Sequence, residues 1–165
     1  QAIRASPTTN DKHYTLFLKW EEVLMKWENV FKSLLVFFLI FGFLSCANKE
    51  KQAEKHFKQG FGYQDQGNLD KAIDEYKKAT QLNPNHLKAH MNVGAVYMRQ
   101  EKYDQAIEEF DRVVKLNYYY GKAHYNLGYI YLLKGEKEKA EEELKILKMM
   151  GSGLADRLEE RMGRE

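Results

Sequence analysis

Cysteine and proline are nearly absent from this 165-residue chain, which has one cysteine, Cys46, and two prolines, Pro7 and Pro84. A lone cysteine cannot close an intramolecular disulfide, leaving chance, a free thiol or a covalent modification site. Charge of one sign is lacking as well. The formal net charge is +2, from 26 Lys and Arg against 24 Asp and Glu, so no nucleic acid partner is expected. No apolar run approaches the ~20 residues that cross a hydrocarbon core. There is no glycine-rich phosphate loop, and no set of nucleophile, base and orienting group, so neither an enzyme nor a cofactor is expected. Runs of β-branched residues are few beyond residue 50, where Lys, Glu, Ala, Leu and Gln dominate, a composition that favours helix.

The longest apolar block runs from Ser33 to Leu44, with Lys26 and Lys32 ahead of it and small residues behind. That order of a positive region, an apolar centre and small residues fits a secretory leader rather than a spanning helix. "MKWENVFKSLLVFFLIFGFLSC" begins at Met25 and reaches Cys46 after a leader's length, so Met25 is read as the true start. The segment 1–24 has no initial Met and no clear periodicity, and is read as over-extended translation or a tag outside the fold. Removing the leader 25–45 leaves roughly 120 residues, enough for a modest core.

Phe43-Leu44-Ser45-Cys46 resembles the lipobox of bacterial lipoproteins, although Phe43 and Leu44 are both bulkier than usual there. The resemblance implies that Cys46 is lipidated and becomes the first residue after cleavage, and the chemistry suits the position. One acyl chain anchors a soluble domain only marginally, whereas two or more hold it on a bilayer. Ala47 follows the cysteine in place of aspartate, which by resemblance to Gram-negative sorting implies the outer membrane, facing the periplasm. Residues 46–52 are then a short polar tether. The bland alternative is an uncleaved anchor or a buried thiol.

Beyond the tether the chain repeats itself every 34 residues. Gly60, Gly94 and Gly128 keep this period, as do Tyr63, Tyr97 and Tyr131, then Ala72, Ala106 and Ala140, and His56, His90 and His124. Large residues follow at Tyr76, Phe110 and Leu144. These positions resemble the tetratricopeptide repeat, TPR. The resemblance implies an all-α, right-handed solenoid of three helix-turn-helix units, 53–86, 87–120 and 121–152, within the repeat domain 53–152. Glycine and alanine would let the two helices of a unit approach, and the large residues would fill the wedge. Tyr118 and Ser152 stand where Pro84 stands in the first unit, Gln59 replaces an apolar residue, and Lys137 replaces the large residue seen at Leu69 and Tyr103. A solenoid also needs a polar-backed end, and Leu154, Leu158 and Met162, spaced by four among charges, predict a capping helix within 153–165.

The periodic histidines invite a metal reading. Each sits at a packing position, however, and successive units are too far apart to share a zinc ion, so they are read as packing residues and no metal site is expected. Runs of acids such as Glu141 to Glu143 are read as a solvated helix face.

Function is therefore expected on a surface. The resemblance implies a concave groove lined by the first helix of each unit, here with Phe57 and Phe61, then Met91, Asn92, Met98 and Arg99, then Lys122, Tyr125, Asn126 and Tyr129. Aromatic and methionine residues suit peptide anchoring. Of the carboxylate clamp found in some family members only Asn92 and Lys122 match, while Phe57, Phe61 and Asn126 depart, so that clamp is not expected. Tyr118, Tyr119 and Tyr120 form a possible contact patch or a plain loop. The reading is a lipid-anchored scaffold or assembly factor of the bacterial cell envelope that binds a protein or peptide partner. The alternative is a self-associating structural protein of the envelope, a homo-oligomer.

Overall fold

A computed structural model describes the backbone of residues 9–164 and, within it, the side chains of residues 25–28, 30–35, 37 and 47–164. The described elements are all helical: α1 (Thr9–Asp65), α2 (Leu69–Leu82), α3 (Leu87–Arg99), α4 (Tyr103–Leu116), α5 (Gly121–Leu133), α6 (Lys137–Met149) and α7 (Leu154–Met162). The chain divides into two compact units, Gln1–Ala47 and Asn48–Glu165. In the first, the described apolar side chains Met25, Trp27, Val30, Phe31, Leu34, Leu35 and Phe37 are exposed. Contacts there include the Trp27–Phe31 ring pair, with centroids 6.2 Å apart, and the Lys32–Glu28 ion pair at 2.6 Å. Among the described residues no helix is long and apolar enough to cross a membrane.

In the second unit the predicted solenoid is present. The end of α1 precedes α2 in the first helix pair, α3 packs on α4, and α5 packs on α6; α2 meets α3 and α4 meets α5 between pairs. The 34-residue period is a period of burial. Ala72, Ala106 and Ala140 are fully buried, and so are Ala79, Val113 and Leu147 two turns further along the second helices. The glycine rule has a measurable basis. A Cβ at Gly60 would lie 2.6 Å from the Tyr76 ring, and one at Gly94 would lie 2.7 Å from the Phe110 ring, closer than carbon atoms approach. Both rings are wholly buried, so each glycine is the space that its unit's aromatic occupies.

The third unit departs from that rule. The sequence assigns its wedge to Leu144, but a Cβ at Gly128 would meet Leu158 Cδ2 at 2.6 Å. Leucine is too small to fill the notch that tyrosine and phenylalanine fill, and the capping helix α7 completes the packing from outside. Leu158 is fully buried against Leu132, Ala140, Leu144, Leu147 and Ala155. Ser152 helps to start α7, its hydroxyl accepting from the Leu154 N–H at 3.3 Å. Gln59 breaks the apolar pattern harmlessly because it is exposed, whereas its counterparts Val93 and Leu127 are buried.

The turns within units also repeat. Gly67, Glu101 and Gly135 occupy the same turn position with φ of 76°, 59° and 72°. The left-handed region is free to glycine but costs other L-residues about 1–2 kcal/mol, so Glu101 carries strain that its two counterparts avoid. Exposed side chains then link turn to turn: Gln100 Nε2 donates to Asp70 Oδ1 at 3.0 Å and Lys134 Nζ to Asp104 Oδ1 at 2.6 Å.

Two opposite stability changes follow. Gly94→Ala should lose about 1–3 kcal/mol by overpacking against Phe110, and Phe110→Leu in the same chain should cost less than the two single losses summed. Glu101→Gly should gain up to about 1 kcal/mol by releasing the left-handed strain. Urea unfolding monitored by circular dichroism measures all four; additive losses, or a Glu101→Gly variant no more stable than wild type, would contradict the geometry.

Candidate functional site

The groove helices owe their character to a separation of charge. Neither α3 nor α5 contains an Asp or Glu; their only Lys and Arg residues are Lys88, Arg99 and Lys122, all exposed. The second helices carry many acids instead, with Asp70, Asp74 and Glu75 on α2, four on α4 and four on α6. On α5, Lys122, Tyr125, Asn126 and Tyr129 fall at spacings of three and four and therefore on one face.

The predicted groove residues differ in how free they are. Phe61 is 49% exposed. Phe57 is half-buried, its ring 5.6 Å from Tyr76 and 4.9 Å from His86. Met91 and Met98 pack against the central core with one side open. Asn92 is engaged: its amide donates to the Tyr76 hydroxyl at 3.0 Å, which donates to Gln64 Oε1 at 2.9 Å, a polar relay that ties the first two units together. Asn126 is half-buried on the face it shares with Lys122.

Tyr125 and Tyr129 are not open anchors. The Arg157 guanidinium lies 5.1 Å from the Tyr125 ring centre and that of Arg161 4.2 Å from the Tyr129 ring centre. Arg161 Nε also donates to the Tyr125 hydroxyl at 3.0 Å, an oxygen contact that holds the guanidinium still more firmly charged. The cap thus reaches the third unit's aromatic face. Sequence reasoning missed these arginines because they lie outside the repeats; their spacing of four was the one available signal.

The tyrosine triplet lies in the turn between α4 and α5. Tyr118 and Tyr119 are 49% and 79% exposed and meet edge to face at 5.6 Å. Tyr120 is half-buried at the α5 N-cap. Tyr118 also stands edge-on to His124 at 5.4 Å and gives its carbonyl to that ring.

His90 and His124 are buried and His56 is half-buried, yet they are more than packing. His56, His90 and His124 Nδ1 meet Glu75, Glu109 and Glu143 Oε2 at 2.7, 2.6 and 2.6 Å. His90 Nε2 lies 3.0 Å from the Pro84 carbonyl and His124 Nε2 2.8 Å from that of Tyr118. A carbonyl only accepts, so Nε2 carries a hydrogen in both rings. One further proton then lies between Nδ1 and the carboxylate, and the pair is neutral overall wherever that proton sits. The exchange of Pro84 for Tyr118 is harmless here, because only the backbone oxygen is used. The glutamates were legible as a third periodic set, 19 residues after each histidine. Among the described residues no group of three or more His, Cys, Asp or Glu side chains could hold a metal ion. Cys46 lies within α1, and its side chain falls outside the described residues.

Family models for the TPR repeat match residues 63–101 and for the tetratricopeptide repeat residues 94–148. The chain is a tetratricopeptide repeat protein. Among solved structures it is similar to the second TPR domain of Spaghetti (RPAP3) bound to an HSP90 peptide, at 21% identity over 64% of this chain and 96% of that one, TM-score 0.59. It is also similar to the Arabidopsis OM64 TPR domain, at 17% identity over 70% and 98%, TM-score 0.64. The second TPR domain of human RPAP3, in complex with an HSP70 peptide, gives 18% over 71% and 99%, TM-score 0.65. At these identities the likeness is one of fold. A comparison with curated protein sequences finds no match.

The His124–Glu143 pair gives the domain a pH dependence. Burial pushes the Glu143 carboxyl up, against the lowering effect of its hydrogen bond with His124, while Asp111 and Glu142 push it up further. A raised folded-state value means that its contribution is full below the unfolded carboxylate range, ~4.3, and is lost as pH rises through the folded value. Glu143→Gln should therefore be relatively more stable than wild type as pH increases from about 4 to 7. Paired melting curves across that range test it; a constant difference between the two proteins would contradict it.

Proposed function

We propose that this chain is a lipid-anchored TPR scaffold or assembly factor at the bacterial cell envelope, in the outer membrane and facing the periplasm, which binds a segment of a partner protein along its groove. The acid-free, aromatic and methionine-rich face of α3 and α5 carries the reading. Methionine adapts to varied apolar side chains, and a face with exposed cations around half-buried apolar groups suits peptide capture. The fold supports it, since TPR domains of this kind are solved with HSP90 and HSP70 peptides in place. The partner proposed here is of another kind, because Phe57 and Phe61 depart from the carboxylate clamp and the Asn92 amide is committed to Tyr76.

Anchoring rests on the sequence around Cys46 and on the described apolar side chains between Met25 and Phe37, which are exposed. A leader that hands the chain to the lipidation machinery accounts for both, and acylation of one cysteine then supplies the membrane attachment.

Two measurements test the proposal. Palmitate labelling in a bacterial host should be lost in Cys46→Ala, with the precursor retained at full mass; equal labelling of both would end the lipoprotein reading. A photo-cross-linking residue placed at Met98 should trap a discrete partner species in membranes, whereas the same residue at the exposed Glu108 of α4 should not. Trapping from Glu108 alone would move the interface to the outer helices.

A further inference from the structure

From α2 to α6 every helical acid lies on a second helix, and the arginines of the cap extend the acid-free side of α3 and α5. α7 contains Asp156, Glu159 and Glu160 as well as Arg157 and Arg161. Glu159 pairs with Lys148 of α6 at 2.7 Å, and Glu160 pairs with Arg164. The two arginines instead lie over Tyr125 and Tyr129, on the α5 face that also carries Lys122. Both are exposed, and among the described residues their partners are those tyrosines. Two like charges one helical turn apart repel. They are held in place by ring stacking and, for Arg161, by hydrogen bonds with the Tyr125 and Tyr129 hydroxyls, which leave further terminal N–H groups of the two guanidiniums to face a ligand. Stacked guanidiniums are also pre-organised, so little side-chain entropy is left to lose on binding.

We propose that Arg157 and Arg161 form a two-guanidinium site at the C-terminal end of the groove, and that its occupant is an acidic segment of the protein partner, with carboxylate side chains bound to the two forks. This rests on the groove reading above and gives the partner its charge. The complementarity is with carboxylates because a fork binds them through two parallel hydrogen bonds. It is strengthened by the absence of any acid on α3 and α5 to compete for the arginines. The site also gives direction to a bound segment. The first-unit helix carries both signs, with Glu54 and Asp65 beside Lys55 and Lys58, so acidic residues belong at the cap end and apolar ones towards Phe61.

The test uses the full chain in phosphatidylcholine nanodiscs and two fluorescein-labelled peptides of the same leucine and phenylalanine framework, one with glutamate and one with glutamine at the remaining positions. The glutamate peptide should bind at least about tenfold more tightly at low salt, a difference of about 1.4 kcal/mol, and lose that advantage as salt is raised. Arg157→Gln with Arg161→Gln should reduce it to the level of the glutamine peptide. Should that variant lose its melting transition, the wild-type arginine Nε–H signals serve instead, shifting with the glutamate peptide and not with the glutamine one. Equal affinity for the two peptides, no binding of the glutamate peptide, or a preference that survives the double substitution overturns the site. So does an Nε–H response to phosphatidylglycerol nanodiscs in place of the peptide, which would assign the surface to lipid. Met98→Asp separates the two levels of the argument: if neither peptide senses it, the groove reading fails whatever the arginines do.

Discussion

The solenoid depends on one steric constraint, the close approach of two helices at a glycine. Gly60 and Gly94 leave room for the Tyr76 and Phe110 rings, which would stand 2.6 and 2.7 Å from a Cβ atom. Those rings are in turn the largest fully buried groups of the domain. Side chains elsewhere in a unit take their places from this contact, since it fixes how far apart the helices lie and which of their faces meet. Because each unit touches only its neighbours, the same constraint is applied anew in every repeat. Where it is weakest, at Gly128, the missing bulk of Leu144 is supplied by Leu158 of the cap.

A second, polar constraint runs parallel to it. The histidine–glutamate pairs cross from the first helix of a unit to the second, and the histidine also holds the incoming turn through a backbone carbonyl. An isolated charge would be costly at this depth. The pair avoids that cost by being neutral as a whole, and it specifies register in a way that apolar contacts alone do not. It is also where burial raises the Glu143 carboxyl, so packing and protonation are linked at one place.

The same division of labour between helices prepares the surface. From α2 to α6 the helical acids all lie on the second helices, and on α7 Glu159 and Glu160 pair with Lys148 and Arg164, while α3 and α5 carry cations but no acid. The α3 and α5 surface is therefore basic without a high net charge on the chain. Composition alone, with its +2 balance, conceals this, because opposite charges cancel in a sum but not in space.

The 34-residue period by itself determined the helix pairs, the identity of the buried alanines and the need for glycine at three positions, since a repeat in sequence forces a repeat in packing. Leu154, Leu158 and Met162 likewise announced a capping helix by their spacing. The glutamate partners of His56, His90 and His124 were written with the same period, but an acid on a helix reads as solvated until the neighbouring helix is in place. Other features were not local at all. That Leu158 rather than Leu144 fills the third notch, that the Asn92 amide bonds to Tyr76, and that Arg157 and Arg161 cover Tyr125 and Tyr129 are contacts between residues 16 to 36 positions apart in the chain, brought together only when α7 docks and the units stack. Tertiary structure decided them because stacking energy and hydrogen-bond geometry depend on distances that no spacing along a single helix encodes.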